Sequence, residues 1–578
     1  MNDYKSLDLD KVKNIIASYS DNDFVKEYIL NENIDFNPLI INRKLNETKE
    51  FLKYLNDGYT ISFDEIINPK LIINKAYKGV VLSPFEIVSF SNFHNHVKRI
   101  KKAISSSSEL TLIKEYSDSF TLDNNLEKLI NDCLDNNGNI KSSASNELLS
   151  ISNEYDDISI KITSYCNNFI KENSDYLQEK SVYERNNRLV LLIKNSYKNK
   201  YNGYDYGESG SGQASYIEPD VLVSLNNKKN EMEIKKQNEI NKILKALSEY
   251  ISSISSQYLN NFDILLNINV VYTKAYYGFA NAGVIASVGD HIFLKDVRHP
   301  LIDKDVVVSN TYTLNNDVKG IIISGSNTGG KTISLKVIGL SLCMSYLGIP
   351  ILADEAIVPI FDNILVDIDN NQSIKDSLST FSSHISTINN IVISATKNSL
   401  VLIDELISGT DPKYAEALSL SIIDRILNIG SKLIVTTHYD SIKKYGLNRK
   451  DILLSSVEFD EKLLKPTYRY IENSIGSSNA ISIASRYLND SYIINKALDI
   501  IENNKTTEEK LISELSNKIQ ETDKLRKELE SKNIELTNKT NEYNKKLDEF
   551  NSQIETKKNE LVKAFNDELN SLKNELNI

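Results

Sequence analysis

Residues 321–332 read IIISGSNTGGKT, an isoleucine run that passes straight into a glycine-rich loop ending on lysine and threonine. A short apolar run of this kind reads as a buried strand, and a helical pattern resumes after Thr332. The chain must therefore turn sharply between strand and helix, a turn that glycine permits and bulkier residues resist. Gly325-Ser326-Asn327-Thr328-Gly329-Gly330-Lys331-Thr332 satisfies G-x-x-x-x-G-K-[ST] in full. In such a loop the backbone N–H groups face inward around phosphate oxygens, and the following helix N-terminus favours negative charge. Lys331 is placed to neutralise the outer phosphates and the Thr332 hydroxyl to hold Mg²⁺, which predicts an ATP site with Mg²⁺ as cofactor.

Two further strand ends supply matching chemistry. SLVLIDEL (399–406) puts Asp404 and Glu405 at the end of an apolar run. Asp404 suits a Mg²⁺ carboxylate, and Glu405 suits a group that orients or deprotonates the attacking water. KLIVTTHYD (432–440) places His438 at the end of another run, where a side chain can sense the terminal phosphate. Together with GIIIS (320–324), these runs alternate with helical patterns across 286–504, the signature of a parallel α/β sheet.

A chain of 578 residues exceeds one core, and its texture changes along its length. Residues 1–180 read as helical. Residues 181–225 alternate Val, Leu, Ile and Tyr between Gly-Ser-rich turns, which predicts a small β-rich module. A charged helix is expected from Asn226, with Ile240, Ile243, Leu244 and Leu247 on its apolar side, inside a second helical stretch at 226–285. Residues 505–578 lack Pro, Gly and Cys. There Leu515, Leu529, Leu536, Tyr543 and Phe550 fall at multiples of seven, with Leu547 and Ile554 interleaved. That spacing suits a two-stranded coil, and a solvated single helix is the alternative.

Composition excludes other classes. The net charge of −12 argues against a chain that is basic throughout, while leaving room for a local basic face. Cys133, Cys166 and Cys343 stand far apart, as in a reducing cytosol. MNDYKSLDLDKVKN has no signal-peptide pattern. Val337–Ala353 carries no charge, but it contains Gly348 and Pro350 and falls short of the roughly 20 residues of a span, so a buried helix plus strand is expected. The expected location is cytoplasmic, with no membrane partner. His94 and His96, two apart, do not share a helical face, so a metal site with Cys133 is not expected.

The order of these elements, with DIDNNQSIKDSLSTFSSHIS (367–386), LVLIDELISGTDP (400–412), VRHPLID (297–303), LKPTYRY (464–470), GSSNAISIASRYL (476–488) and GESGSGQASYIEP (207–219), resembles the MutS family of ABC-type ATPases, nearest the MutS-two branch. The resemblance implies a multidomain α and α/β chain: a helical core and lever region, a small β-rich clamp, an ABC-type P-loop ATPase domain and a C-terminal coiled coil. It also implies a homodimer that sandwiches each nucleotide. Ser379 and Thr380 would then reach the partner's γ-phosphate, Gln372 would lie near Mg²⁺ and the water, and Thr410-Asp411-Pro412 would line the seam. Family departures are Asp367-Ile368-Asp369-Asn370 for Asp-Ile-Gly-Asp, and Ser326 for a proline.

Members of the branch often continue into a nuclease-like Smr module. This sequence ends inside the coil pattern, so no nuclease activity of its own is expected. The family's mismatch-reading members carry a Phe-x-Glu wedge. Phe63-Asp64-Glu65 and Phe459-Asp460-Glu461 both match it, and neither lies in a suitable module. In the clamp, Arg185, Arg188, Lys194, Lys198 and Lys200 with nearby tyrosines suit sequence-blind contact with nucleic acid, the alternative being an edge guarded by lysines. The functions implied are an ATP-driven clamp on branched or damaged DNA in repair or control of recombination, an ATPase that binds and splits collided ribosomes through ribosomal RNA, or a scaffold recruiting a separate nuclease.

Overall fold

The computed structural model describes residues 4–63, 68–325, 330–368, 380–407, 411–460, 465–476, 481, 484–485, 488, 490–504 and 507–575. The chain is mixed helical and α/β with several sheets, divided into two compact units: Lys13–Asn33 with Arg43–Asn281, and Met1–Val12 with Ile34–Asn42 and Ala282–Ile578.

Capping side chains start several helices of the first unit. Asn22 caps α1 (Asp23–Asn31), its side chain accepting from the N–H groups of Phe24 and Val25. Ser83 and Glu86 form a reciprocal capping box on α2 (Pro84–Ser105). The buried face of α2 repeats at helical spacing through Ile87, Phe90, His94, Val97, Ile100 and Ile104. His94 Nδ1 lies 2.6 Å from the Tyr258 hydroxyl, so this histidine is a hydrogen-bonded core residue. No cluster of three or more His, Cys, Asp or Glu able to hold a metal occurs among the described residues. Phe63 is likewise a core side chain, 9% exposed, with its ring 5.0 Å from that of Tyr272.

Helix α3 (Asn146–Glu172) leads into an antiparallel sheet ordered β1-β2-β4-β3, made of β1 (Leu177–Arg185), β2 (Arg188–Lys194), β3 (Gly203–Glu208) and β4 (Ala214–Pro219). Leu177, Leu191, Ile193 and Ile217 meet Phe169 of α3 in one small core. The sheet thus begins at Leu177. Helix α4 (Asp220–Ser253) begins at Asp220 rather than Asn226. Pro219 has no N–H to give the ladder and stands at the helix N-cap, which fixes the start there. Asn226 is buried inside that helix, with its amide donating to Glu218 at 2.7 Å. Helix α5 (Ser255–Asn281) completes the unit.

The second unit holds two sheets. The smaller has the order β5-β9-β6-β7, from β5 (Ser287–Val288), β6 (Ile292–Val297), β7 (Asn310–Leu314) and β9 (Glu355–Val358). The larger is ordered β10-β11-β12-β8-β13-β14. Its members are β8 (Gly320–Ser324), β10 (Asn363–Asp367), β11 (Ser399–Ile403), β12 (Lys432–Thr437), β13 (Ile452–Asp460) and β14 (Lys465–Glu472). All neighbours are parallel except β13 and β14. Register sets Asp367 opposite Ile403, Ile403 opposite Val435, and Thr437 opposite Ser324. The loops after β8, β11 and β12 therefore leave from one carboxyl edge, where parallel α/β sheets collect ligands.

Helix α6 (Lys331–Tyr346) is buried over nearly its whole length, and the uncharged run ends in a turn at Gly348 and a bridge from Ile351 to Val284. No described helix is long and apolar enough to cross a membrane. Helices α7 (Thr380–Ser394) and α8 (Pro412–Ile429) pack on the large sheet. The chain closes with α9 (Thr507–Glu575), a single helix in which Leu529, Leu536, Tyr543 and Phe550 are exposed.

Candidate active site

Strand β8 delivers the glycine loop from a dry interior, since Ile321, Ile322 and Ile323 are buried. The Ser324 hydroxyl pins the loop entrance, donating to the Ser455 carbonyl at 3.0 Å and accepting from the Gly476 N–H at 2.8 Å. Gly476 lies against the loop so closely that a Cβ there would stand 2.8 Å from Gly325 Cα. At the loop exit Gly330 adopts φ +96° and caps α6, a left-handed position that suits glycine. Ser326, Asn327, Thr328, Gly329, Gln372, Ser379 and Thr410 lie outside the described residues, as does the side chain of Thr380.

The first turn of α6 meets the end of β11. Thr332 Oγ1 donates to Asp404 Oδ2 at 2.7 Å, while Thr436 Oγ1 at the end of β12 donates to Asp404 Oδ1 at 2.5 Å. The Glu405 N–H donates to the same Thr436 hydroxyl at 3.0 Å. The Asp404 N–H donates to the Asp367 carbonyl at 2.8 Å, so the ends of β10, β11 and β12 and the first turn of α6 meet at this residue. Glu405 takes φ +50°, an uncommon conformation for a non-glycine residue and one that clusters at functional sites.

Lys331 is 2% exposed, with Nζ 3.9 Å from Glu405 Oε1. Burial draws its pKa below the usual lysine value, and the carboxylates of Glu405 and Asp404 pull the other way. His438 Nδ1 stands 4.0 Å from the same Oε1. Partial burial lowers its pKa, against the pull of Glu405, which favours a neutral imidazole at neutral pH. The donor set fits Mg²⁺·ATP: a hydroxyl and a carboxylate oxygen are hard ligands of the kind Mg²⁺ takes, and a buried ammonium stands beside them for phosphate.

Several participants are not evident in the sequence. A cavity of about 320 Å³ opens beside Gly330, lined by Val306, Val307, Val308, Ile333, Tyr312 and Tyr468 among others. The side chain of Asn310 fixes the Tyr468 segment, its amide donating to the Tyr468 carbonyl at 2.9 Å and its oxygen accepting from the Tyr470 N–H at 2.8 Å. Thr436 and Gly476 belong to the same group. Their hints in the chain are a threonine two residues before His438 and a glycine opening GSSNA.

In the β module the basic residues have separate fates. Arg188 is engaged internally: its Nε donates to Glu218 at 2.9 Å and its Nη2 to Asn227 at 2.8 Å, and Glu218 is fully buried. Glu218 also accepts from the Tyr206 hydroxyl at 2.8 Å, so the arginine completes a network tying the sheet to α4. Lys198 pairs with Asp205, and Lys194 donates to the Asp175 carbonyl at 2.8 Å. Arg185 lies over the Tyr216 ring at 4.3 Å and Lys200 over the Tyr176 ring at 3.8 Å.

Comparison with known proteins fits this geometry. Residues 321–505 match the family MutS domain V. The chain is 33% identical over 505 residues to Endonuclease MutS2 of Bacillus velezensis, a match that covers 85% of this chain and 64% of that protein. The same-named protein of Bacillus mycoides is 33% identical over 519 residues, covering 88% and 64%. That of Bacillus anthracis is 32% identical over 528 residues, covering 90% and 64%. The matches thus span 64% of the length of these relatives. Residues 321–505 thus match a MutS domain V around the glycine loop, and the chain is similar to MutS2 proteins along most of its own length.

Proposed function

We propose that the protein is a Mg²⁺-dependent ATP hydrolase that works as a homodimeric clamp on branched or damaged DNA, in repair or in control of recombination. The observation that carries the reading is the Asp404 carboxylate held by Thr332 and Thr436 beside buried Lys331. Backbone N–H groups of 325–332 cradle the phosphates, and Lys331 neutralises them. Thr332 and Asp404 hold the ion, which when bound supplies charge neutralisation along the phosphate chain. Glu405 orients the attacking water, with Gln372 beside it, and His438 senses the γ-phosphate. The cavity at Val306–Val308 and Tyr468 takes the adenine base, because an apolar slot with an aromatic wall suits a flat heterocycle.

Ser379 and Thr380 of a second copy complete each site, so the γ-phosphate joins two halves and turnover parts them. Arg185 and Lys200, stacked on tyrosines at the β module, offer the phosphate-facing charge. Steady-state ATPase measured alone, with four-way junction DNA, with plain duplex and with disomes tests the reading. Stimulation by the junction is expected. Stimulation by disomes alone would overturn the DNA assignment in favour of ribosome quality control.

A further inference from the structure

The cavity beside Gly330 has a mostly apolar wall, so its few polar side chains set what it can recognise. Most of them are already engaged. Asn310 donates its amide to the Tyr468 carbonyl at 2.9 Å, and its oxygen accepts from the Tyr470 N–H at 2.8 Å. The Tyr312 hydroxyl is held by Ser334 and Asn310. His299, two residues past β6 and 6% exposed, is the exception. Its Nδ1 accepts from the Leu301 N–H at 3.3 Å, and burial lowers its pKa. The ring is therefore neutral at neutral pH and carries its one proton on Nε2. Among the described residues nothing accepts that N–H.

His299 also stands at the end of the cavity away from the phosphate loop. The wall follows α6 from Gly330 through Ile333 and Ser334 to Val337, about 10 Å along the helix. The charges that act on the imidazole are those of Asp8, Lys336 and Lys11, and Lys336 is the neighbour of Val337. A base whose sugar and phosphates point toward Gly330 presents its most distant edge to His299. In adenine that edge holds N1, a bare acceptor. In guanine N1 carries a hydrogen, so two donors would face each other.

We propose that the Nε2–H of His299 donates to N1 of the adenine ring and so selects ATP over GTP. The proposal rests on the reading given above, that this cavity takes the base. It makes His299 a specificity-determining residue, with the apolar wall supplying contact area and the imidazole reading the edge.

The test is equilibrium competition of nucleotides against a fluorescent ATP analogue on the full-length protein. The unaltered protein should bind 1-deaza-ATP and GTP each about tenfold more weakly than ATP. It should bind 7-deaza-ATP, which lacks an acceptor on another edge, within about twofold of ATP. His299→Phe keeps a flat ring without the donor, and should bind ATP and 1-deaza-ATP alike while losing most of the preference over GTP. His299→Leu takes its place if His299→Phe fails to fold. A histidine that only supports the fold would, when replaced, weaken all four nucleotides by one factor, and that result would overturn the proposal. Equal affinity of the unaltered protein for ATP and 1-deaza-ATP would overturn it too. Val307→Trp, which fills the slot, is run beside these. If it binds ATP as tightly as the unaltered protein, the cavity is not the base site and the proposal falls with that reading. If it loses ATP while the unaltered protein ignores the change at N1, only the assignment of His299 fails.

Discussion

The Thr332 hydroxyl donates to Asp404 at 2.7 Å across 72 positions of sequence, joining the first turn of α6 to the end of β11. This places the proposed ion-binding hydroxyl and carboxylate on facing elements within reach of one cation. Thr332→Val, close in shape but without the hydroxyl, should raise the Mg²⁺ concentration for half-maximal ATPase about tenfold, as loss of an oriented oxygen ligand does at metal sites. Lys331→Ala should abolish ATP binding. Titration with Mg²⁺ and equilibrium binding of a fluorescent ATP analogue check the two outcomes.

Glu405 sits within 4.0 Å of both Lys331 and His438, in a left-handed backbone conformation. Glu405→Gln keeps the shape and removes the carboxylate proposed to act on the water. The variant should bind ATP with near-normal affinity while kcat falls by about 10²- to 10⁴-fold, and the dimer should accumulate in its closed form. Normal turnover by Glu405→Gln would sink its assigned role.

Gly476 presses on the loop entrance, where an added methyl would meet backbone atoms of Gly325 at 2.8 Å. Backbone cannot swing aside as a side chain can, so Gly476→Ala must shift the loop. The expected result is a KM for ATP raised about tenfold, the order of a 1–3 kcal/mol overpacking cost placed on the binding loop. Initial-rate kinetics against ATP concentration measure it.

The β module holds its charges in two ways, Arg188 against a buried carboxylate and Arg185 and Lys200 over tyrosine rings. Arg188→Ala strands the fully buried Glu218 carboxylate and should destabilise the module by about 3–5 kcal/mol. Arg185→Ala and Lys200→Ala leave no buried charge behind. They should instead weaken junction-DNA binding and reduce its salt dependence, by about one counterion each. Urea unfolding and binding titrations at several salt concentrations distinguish the two classes.

Acid should loosen both units through buried histidines. Burial lowers the pKa of His94 and of His299 from the ordinary 6.5. The unfolded chain then binds these protons more readily than the folded one, so stability is full above about 6.5 and declines as pH falls below it. His94→Asn, which can keep an acceptor for Tyr258, should flatten part of this slope. Thermal unfolding midpoints at pH 7.5 and pH 5.5 for both proteins check it.

Much of the α/β unit could be read directly. GIIIS, SLVLID and KLIVTT fold as β8, β11 and β12, because buried parallel strands are near-continuous apolar runs whose character does not depend on distant partners. The β module was less legible at its ends. Its sheet starts at Leu177, and the helix after it at Asp220, because Pro219 and the buried Glu218–Asn226 contact decide that border, and the apolar alternation of DVLVSL (220–225) continues the strand pattern until the pair is seen.

The sequence by itself determined the strand–loop–helix carrying Lys331 and Thr332 and the carboxylates that follow the SLVLI strand, since these depend on local residue type and spacing. Tertiary structure alone decided which groups share a site. Strand order β11-β12-β8 brings Asp404, Thr436 and Thr332 to one edge, the turn at Gly476 closes on the loop, and His384 finds Asp367. It also decided that Arg188 is held by a buried carboxylate, whereas Arg185 and Lys200 lie over tyrosine rings. The reason is physical: hydrogen bonds and ion pairs act over a few ångströms, and their partners here lie tens to hundreds of residues apart along the chain.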